Sequence, residues 1–372
     1  LFRSLPPGRV TKSVGRHSLM VGSLLGIFLV TGLGAATPLA QKFTKVWHNP
    51  DPEQYVEGPG LIKLADGTLV SVVPVVPRLK WSFERRVEQS RVHIVRSSDR
   101  GATWQSASVL PYYSGIPWLH DGKLYLFANT GGTTYRNDDL LLLRSDDGGR
   151  SWSKPVTLFK GHYWNCHTGI VIKNNTIYAA TDDLGLGSSY GSVVDLTKKA
   201  ARGSCVIAGD LSRDPMDPAS WRISNTVPLM PIPASLTNGK YAEFSGGDLY
   251  LEPNVIEVDG RIRVLAAVKP RRQTTANLGV VLDLTDENGR LELKFTQYFP
   301  MPGGQLKFCT IWDDVSKMFW ATSNLVVDSQ GIFDWWEQGE ARGNYWGSGG
   351  GGNDRRTLML HYSLDGLNWF QA

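Results

Sequence analysis

The fold is indicated by an octet that occurs twice in the chain, as SSDRGATW at Ser97–Trp104 and as SDDGGRSW at Ser145–Trp152. Both copies follow the pattern S-x-D-x-G-x-(S/T)-W. The aspartate can accept hydrogen bonds from the backbone N–H groups of a turn, and the glycine can adopt turn conformations that other residues resist. The tryptophan can fold beneath the turn and bury a large apolar surface. The octet therefore predicts a structural turn between two strands rather than a catalytic motif.

A second set of turns recurs along the chain as a two-residue break between stretches of alternating apolar residues. Asp-Gly and Asn-Asn pairs in this setting are strong β-hairpin signals, because the turns that join paired strands need residues with positive φ. The five turns contain Asp66-Gly67, Asp121-Gly122, Asn174-Asn175, Asp259-Gly260 and Asp313-Asp314. They recur about every 54 residues, except for one interval that is about 30 residues longer and predicts an insertion.

The octets lie between these inner hairpins, so each unit of about 50 residues holds an inner and an outer hairpin. A shortened octet, SLDGLNW at Ser363–Trp369, lies in the last outer hairpin. A four-stranded sheet repeated at a fixed period is typical of a β-propeller blade. The sequence therefore predicts an all-β fold, a β-propeller with five visible blades of four strands each. A two-layer β-sandwich is the alternative, but it predicts no such repeat.

The charged residues are distributed unevenly between the amino terminus and the rest of the chain. The 372 residues include 39 lysines and arginines and 35 acidic residues. Arg3, Arg9, Lys12 and Arg16 all lie in the first 40 residues, where no acidic residue occurs. The remainder is electrically balanced, so we do not expect nucleic acid as a partner.

The first 40 residues have the pattern of a secretory signal, with a basic flank, the apolar run SLMVGSLLGIFLVTGLGAA and then small residues. We expect residues 1–40 to be a signal peptide; because the run is about 18 residues long, an N-terminal membrane anchor is the alternative. In both cases residues 41–372 are expected to be secreted or periplasmic. Cys166, Cys205 and Cys309 show neither disulfide nor metal-ligand spacing and are interpreted as buried thiols.

The octet resembles the Asp box, and the chain from Phe43 to Ala372 resembles the sialidase-like superfamily of BNR-repeat proteins. The two clean octets and the ladder of hairpins carry this resemblance. Intact sialidases have six blades, so the resemblance implies six blades in the intact protein, with the last one beyond Ala372; a five-bladed ring is the alternative. Phe43–His48 is then expected to be a closing strand that pairs with that blade.

Two ionisable residues at equivalent positions of neighbouring blades are candidates for catalysis. His167 and Glu252 precede the inner turns of blades three and four by the same number of residues. The segment Glu252–Gly260, EPNVIEVDG, resembles the sialidase segment whose glutamate pairs with a nucleophilic tyrosine. A carboxylate can draw off the proton of such a tyrosine. The resemblance thus implies that Glu252 is catalytic, and His167 is expected to assist as a general acid or base.

The sequence departs from the sialidase pattern where three arginines hold the substrate carboxylate. The first position reads Glu57-Gly58-Pro59, the second is Ala267, and Lys307 lies near the third. Lysine is a point charge and does not reproduce the bidentate fork of arginine. We expect an anionic or hydroxyl-rich sugar to be held by charged side chains and by a tryptophan that stacks on its ring. The substrate-binding candidates are Glu57, Trp118, Lys269, Arg271, Arg272 and Lys307.

Together these features predict an exported carbohydrate-active enzyme, an exo-glycosidase related to sialidases, with a glycan or polysaccharide as its substrate. A polysaccharide lyase on the same fold is one alternative, with a His or Tyr base and a cation at a uronate carboxylate. A non-catalytic carbohydrate-binding propeller is the other, and the missing arginine favours it. Tyr345 and Tyr362 match the position of the nucleophilic tyrosine poorly. Phosphate-loop, H-E-x-x-H and paired C-x-x-C motifs do not occur, and neither a cofactor nor a metal is expected.

Overall fold

The structure is a computed structural model in which β-strands dominate and Thr44–Ala372 forms a compact unit. The residues that it describes are 43–77, 88–129, 139–161, 163–164, 168–183, 203–228, 230, 232–233, 249–269, 277–325 and 357–372. Across these ranges, no helix has the length and apolar character needed to span a membrane. The predicted signal peptide or anchor, residues 1–40, lies outside them.

Five antiparallel sheets follow one another along the chain, and each is one blade of a β-propeller. Blade 1 consists of β1 (Gln54–Val56), β2 (Gly60–Lys63), β3 (Leu69–Pro77), β4 (Arg91–Ser97) and β5 (Gln105–Leu110). Blade 2 consists of β6 (Gly115–His120), β7 (Lys123–Asn129), β8 (Leu140–Ser145) and β9 (Val156–Phe159). The first two strands of blade 1, β1 and β2, both pair with β3.

Blade 3 is the most elaborate sheet, because its first and last strands are each split in two. It consists of β10 (Tyr163–Trp164), β11 (Val171–Lys173), β12 (Thr176–Asp183), β13 (Gly203–Asp210), β14 (Trp221–Ile223) and β15 (Val227–Pro228). Its outer turn is expanded and contains a 3-10 turn at Pro218–Ser220.

Blades 4 and 5 each have four strands in the simple order of a meander. Blade 4 consists of β16 (Leu249–Val258), β17 (Arg261–Lys269), β18 (Leu278–Glu287) and β19 (Arg290–Pro300). Blade 5 consists of β20 (Cys309–Asp313), β21 (Met318–Asn324), β22 (Leu358–Ser363) and β23 (Trp369–Gln371). The predicted propeller of repeated antiparallel blades is confirmed.

The octets lie in the outer hairpins, between β4 and β5 of blade 1 and between β8 and β9 of blade 2, as predicted. In the first copy, Asp99 accepts hydrogen bonds from the backbone N–H of Thr103 at 2.9 Å and from its hydroxyl at 2.6 Å. These bonds lower the pKa of Asp99 to about 2. Gly101 has φ +91°, a conformation that favours glycine, and its carbonyl accepts the indole N–H of Trp104 at 3.0 Å. In the first octet the aspartate and the indole are thus both bonded within the turn, whereas in the second octet the indole N–H of Trp152 donates to Ser108 of blade 1 at 3.0 Å.

Buried apolar side chains fill the interfaces between successive blades, and burial of this kind is the main favourable contribution to folding. Four clusters join blades 1 and 2, 2 and 3, 3 and 4, and 4 and 5. Ile94 and Leu124 belong to the first cluster, and Phe127 and Trp221 belong to the second. Val206 and Val264 belong to the third, and Leu265 and Phe319 belong to the fourth.

The predicted closing strand at Phe43–His48 would pair with a blade beyond Ala372, so that pairing stays a prediction. Residues 43–50 form no strand, and the indole of Trp47 instead packs on the ring of His93 with a centroid distance of 4.4 Å. Trp47 also covers Val73 and Val75, on the face of blade 1 that is turned away from blade 2. In the described chain, apolar packing on blade 1 holds this segment.

Candidate active site

Side chains from all five blades are linked by contacts at one end of the propeller. In each blade this is the end where the first strand begins and the second strand ends, since the two strands are antiparallel. It is opposite to the end that carries the inner hairpin turns and the octets. We call the residues that make these contacts the axial cluster: Glu57, Tyr113, Trp164, Asp182, Glu252 and Lys307.

A carboxylate ties blade 1 to blade 2 within the axial cluster. The hydroxyl of Tyr113 donates to Oε2 of Glu57 at 3.0 Å, and the hydroxyl of Tyr55 donates to the same oxygen at 3.3 Å. Glu57 occupies the place where the sialidase pattern has its first arginine. The structure therefore places an acceptor with two phenol donors where the resemblance implies a cation.

Aromatic packing extends the axial cluster from blade 2 to blade 3. The rings of Tyr113 and Trp164 lie 4.9 Å apart at an angle of 57°, and both residues are buried. The hydroxyl of Thr181 donates to the carbonyl of Trp164 at 2.8 Å. Trp164 pairs with Asp182 in the register of β10 and β12, so the two residues are direct neighbours across the sheet.

Asp182 links blade 3 to blade 4 through the backbone of Glu252. Its side chain has no exposed surface, and both carboxylate oxygens lie 3.2 Å from the backbone nitrogen of Glu252. A buried carboxylate is costly unless it accepts hydrogen bonds, and the N–H of Glu252 is one donor that it has here. The amide of Glu252 is consequently fixed by a residue of the preceding blade.

The Glu252 side chain forms an ion pair with Lys307 of blade 5. The distance from Nζ of Lys307 to Oε1 of Glu252 is 3.5 Å, and the two side chains are 23% and 12% exposed. The pair is therefore mostly shielded from water, where charges interact more strongly than at an open surface. Lys307, predicted to hold the substrate, contacts the predicted catalytic carboxylate.

A buried asparagine, Asn254, connects the backbone around Glu252 to the two neighbouring blades. Oδ1 of Asn254 accepts hydrogen bonds from the backbone N–H of Gly169 in blade 3 and of Thr310 in blade 5, each at 3.0 Å. Its Nδ2 donates to the carbonyls of Glu252 at 3.2 Å and of Phe308 at 3.1 Å. Asn254 thus joins blades 3, 4 and 5 two residues after Glu252.

Five residues considered in the sequence analysis cannot be placed by their side chains. His167, Arg271 and Arg272 lie outside the described residues, and so does Tyr345. The backbone of Lys269 ends β17 and pairs with Leu249 at the same end of blade 4 as Glu252, but its side chain is outside the described part.

Trp118 does not lie in the axial cluster, which corrects its prediction as a sugar-stacking residue. Its side chain is 1% exposed and packs against Tyr125, Phe127 and Trp221 in the interface of blades 2 and 3. Neither face of its ring is available to a ligand. Its position inside β6 explains the placement, because residues of inner strands alternate between the two blade interfaces.

Three important members of the site region were not predicted from the sequence: Tyr113, Asp182 and Asn254. Tyr113 and Asp182 lie near an end of a first or second strand, and that position was the available signal for them. Tyr113 precedes β6, and Asp182 lies at the end of β12, an acidic pair with Asp183. Asn254 follows Glu252 closely in the same strand, where a buried amide must find partners.

Among the described side chains of the axial cluster, the available chemistry is that of carboxylates, a phenol and the ammonium group of Lys307. Burial raises the pKa of the neighbouring Tyr163 to about 12, with Cys205, Asp183 and Asp139 adding to the shift. Burial also raises the pKa of Cys309 to about 11, although the charge of Lys307 opposes the shift. Within the described ranges, no group of three or more histidine, cysteine and acidic residues is arranged to hold a metal ion. The arrangement suits proton transfer and the binding of hydroxyl groups.

Comparison with known proteins identifies similar solved structures but no family. No protein-family model and no curated protein matches the chain. An α-L-arabinanase from Penicillium chrysogenum complexed with arabinobiose is 13% identical, with 85% of this chain and 80% of that chain covered and a TM-score of 0.47. A protein of unknown function from Dyadobacter fermentans is 12% identical, with coverage of 86% and 94% and a TM-score of 0.49.

A third similar structure is the GH93 α-L-arabinofuranosidase of Fusarium graminearum in complex with arabinobiose. It is 11% identical, with 86% of this chain and 92% of that chain covered and a TM-score of 0.46. Glycoside hydrolases are thus among the proteins to which this chain is similar. At these identities and TM-scores, the likeness carries no argument about substrate or mechanism.

Proposed function

We propose that this protein is an exo-glycosidase of the sialidase-like type, with Glu252 as its central catalytic carboxylate. The observation that supports the proposal best is the ion pair between Glu252 and Lys307, which joins two blades at the axial end of the propeller. Ligand sites occur preferentially where several structural elements converge, and mostly shielded charged pairs are frequent in active sites.

The proposed role of Glu252 is to accept a proton from the attacking nucleophile or water. Glycosidases require one group that activates the attack and another that protonates the leaving oxygen. Glu252 has the chemistry for the first role, and the adjacent ammonium of Lys307 compensates its charge. His167, Lys269, Arg271 and Arg272 remain proposals for proton transfer and for the binding of an anionic or hydroxyl-rich sugar.

Glu57 is proposed to contact the substrate from the opposite side of the cluster. Its Oε2 atom already accepts two phenol hydrogen bonds, which fix the direction of the carboxylate. A carboxylate held in this way can accept hydrogen bonds from sugar hydroxyls. In sialidases an arginine at this position binds the substrate carboxylate; here Glu57 is proposed to bind sugar hydroxyls instead.

The proposal is tested by Glu252→Gln against a matched control, Glu257→Gln. Both residues lie in β16, but Glu257 pairs with Lys173 at the opposite end of the blade. We expect Glu252→Gln to lower kcat by about 10²–10⁴-fold while the glycan Kd stays within about threefold, because the amide keeps the shape and loses the proton acceptor. Glu257→Gln is expected to leave both quantities unchanged. Wild-type turnover in the Glu252→Gln variant would remove Glu252 from the mechanism.

Product analysis tests the reaction class. The wild-type protein would be incubated with sialosides, uronides and neutral glycosides, and the products examined for a new reducing end and for ultraviolet absorption. A hydrolase leaves a saturated sugar, whereas a lyase leaves an unsaturated uronate that absorbs ultraviolet light. Binding without any product would favour the carbohydrate-binding alternative.

We also propose that residues 1–40 direct export of the propeller. The support is the basic flank followed by an apolar run and small residues. Amino-terminal sequencing of the protein recovered from the culture medium or periplasm would test cleavage of a signal peptide. An uncleaved, membrane-bound protein would indicate the anchor instead.

A further inference from the structure

Glu252 has a backbone conformation that is unfavourable for its residue type and its position. Its φ is +54°, in the left-handed region. Among the described residues, the other non-glycine residues with positive φ lie in turns or at strand ends, whereas Glu252 lies inside β16. The left-handed region is unfavourable for a side chain with a Cβ, by about 1–2 kcal/mol. Pro253 follows, and the residue before a proline favours extended conformations instead.

A β-bulge accompanies this conformation. The register of β16 and β17 shifts between Leu251 and Asn254, so that Glu252 and Pro253 lie opposite a single residue, Ala266. Bulges re-aim side chains and are frequent next to active sites. The bulge therefore turns the Glu252 side chain away from the direction that regular strand alternation would give it.

Two buried side chains hold the peptide groups on either side of Glu252. Asp182 of blade 3 accepts from the Glu252 backbone nitrogen with both oxygens, and Asn254 donates to the Glu252 carbonyl at 3.2 Å. Asn254 is itself fixed by hydrogen bonds to Gly169 and Thr310 in the neighbouring blades. A strained conformation persists only where the surroundings determine it more strongly than local preference does. These contacts provide that surrounding.

We infer that Asp182 and Asn254 are positioning residues, which force Glu252 into the left-handed bulge and thereby aim its carboxylate into the axial cluster. The inference deepens the proposed function and rests on it where catalysis is concerned. Its conformational part does not need a substrate, because it concerns the backbone of Glu252. Neither Asp182 nor Asn254 is assigned contact with a sugar.

The conformational part is tested by melting temperatures of Glu252→Gly and Glu252→Ala. Both variants lose the carboxylate and the ion pair, so their difference reports the backbone alone. Glycine adopts positive φ freely, and we expect Glu252→Gly to melt higher than Glu252→Ala by about 2 °C. At Glu257, in the regular part of the same strand, the order is expected to reverse, because glycine weakens a strand interior. The same order at both positions, with alanine more stable, would overturn the inference.

The role of Asp182 is tested by measuring the same difference in melting temperature in a protein that lacks the Asp182 side chain. In an Asp182→Ala background the bulge loses one anchor, so the advantage of glycine over alanine at position 252 is expected to shrink. If Asp182→Ala does not fold, Asp182→Asn, which keeps an acceptor oxygen, serves as the background in which the advantage should persist. If glycine at position 252 keeps its full advantage over alanine in Asp182→Ala, or loses that advantage in Asp182→Asn, then Asp182 does not hold the bulge.

Kinetics of the same variants separate positioning from a general loss of structure. We expect Asp182→Ala to lower kcat by about 10²-fold with KM changed less than about threefold, since a misplacement of about 1 Å has such an effect. Asp182→Asn should recover most of the activity, and Asp183→Ala should retain it, since the Asp183 carboxylate accepts from Thr226 at 2.6 Å. Equal losses in Asp182→Asn and Asp182→Ala would overturn the positioning role. An inactive wild type would refute the proposed function and leave the melting test to decide the inference.

Discussion

The aspartates of the octets and the carboxylates of the axial cluster form opposite kinds of hydrogen bond. At the end of the hairpin turns, Asp99 and Asp147 each accept hydrogen bonds from residues only three or four positions further along the chain. At the axial end, Glu57 bonds Tyr113 of the next blade, and Asp182 bonds Glu252 of the next blade. The first kind stabilises a turn, and the second kind connects blades. Replacing Glu57 or Asp182 should therefore affect the relation between blades, whereas replacing Asp99 or Asp147 should affect mainly a single hairpin.

The largest effect on stability is expected from Asn254→Ala, which removes hydrogen bonds to three blades at once. The backbone N–H groups of Gly169 and Thr310 would lose their acceptor inside the protein, and a buried unsatisfied group costs about 1–3 kcal/mol. We expect a loss of about 2–5 kcal/mol in the free energy of unfolding. Urea denaturation followed by tryptophan fluorescence measures it.

The matched control is Asn225→Ala. Asn225 also joins two blades, through bonds to the N–H and carbonyl of Leu293, but it is an exposed residue. Water can replace its hydrogen bonds, so we expect the smaller loss. An equal loss in both variants would contradict the special place given to the axial end.

A smaller effect is expected from acid, through a histidine between blades 4 and 5. His361 is 2% exposed, neither ring nitrogen has a hydrogen-bond partner among the described residues, and burial lowers its pKa below the ordinary value of 6.5. His361 therefore binds a proton more readily in the unfolded chain than in the folded protein. The contribution of neutral His361 to stability is present above pH 6.5 and is lost as the pH falls below 6.5. Unfolding free energies between pH 7.5 and 5 should decrease less steeply in His361→Leu.

His93 provides the internal comparison for that experiment. Burial lowers its pKa as well, with the charge of Arg91 adding to the shift, so some dependence on pH should survive in His361→Leu. A slope identical to that of the wild type would show that His361 does not contribute.

A local effect is expected from Asp99→Ala at the turn end. The variant loses the hydrogen bonds that order a single turn, so thermal unfolding should begin earlier while kcat and KM for a glycoside stay unchanged. In the wild type, the pKa of about 2 means that the contribution of Asp99 is complete above its unfolded pKa of 3.8 and is lost as the pH falls toward 2. A change in kcat would show that the two ends are coupled.

The smallest effect is expected from Glu257→Gln, which breaks the pair with Lys173 at the turn end of blades 3 and 4. The side chains are 38% and 29% exposed, and such pairs contribute about 0–1 kcal/mol. Chemical denaturation in low and high salt should show a small difference that salt reduces further. A loss as large as that of Asn254→Ala would remove the contrast between the ends.

The same contrast explains which features could be predicted from the sequence. The octets and the Asp-Gly and Asn-Asn turns are local, because each residue that determines them lies within a few positions of its partners. Asp121, Asn174 and Asp259 accordingly have the positive φ that their hairpins require. The blades could therefore be predicted one by one, and their repetition predicted the propeller.

The axial cluster could be predicted only in part, because its contacts join residues that are distant in the chain. Equivalent spacing pointed to Glu252, and the resemblance pointed to Lys307, but nothing local indicated that they form an ion pair. Trp118 was misplaced for the same reason, since alternation along β6 does not tell which tryptophan faces a ligand and which faces a blade. The partners of Asp182 and Asn254 depend on how neighbouring blades pack.

The most direct test of the central claim, that Glu252 and Lys307 act as one reactive unit from two blades, is a double-mutant cycle on kcat. Glu252→Gln, Lys307→Gln and the double variant would be measured with a glycoside that the wild type hydrolyses. Because Lys307 is proposed to act through Glu252, the double variant should be no slower than Glu252→Gln alone, within about twofold. If the two losses instead multiply in the double variant, Glu252 and Lys307 act independently and the proposed reactive unit is wrong.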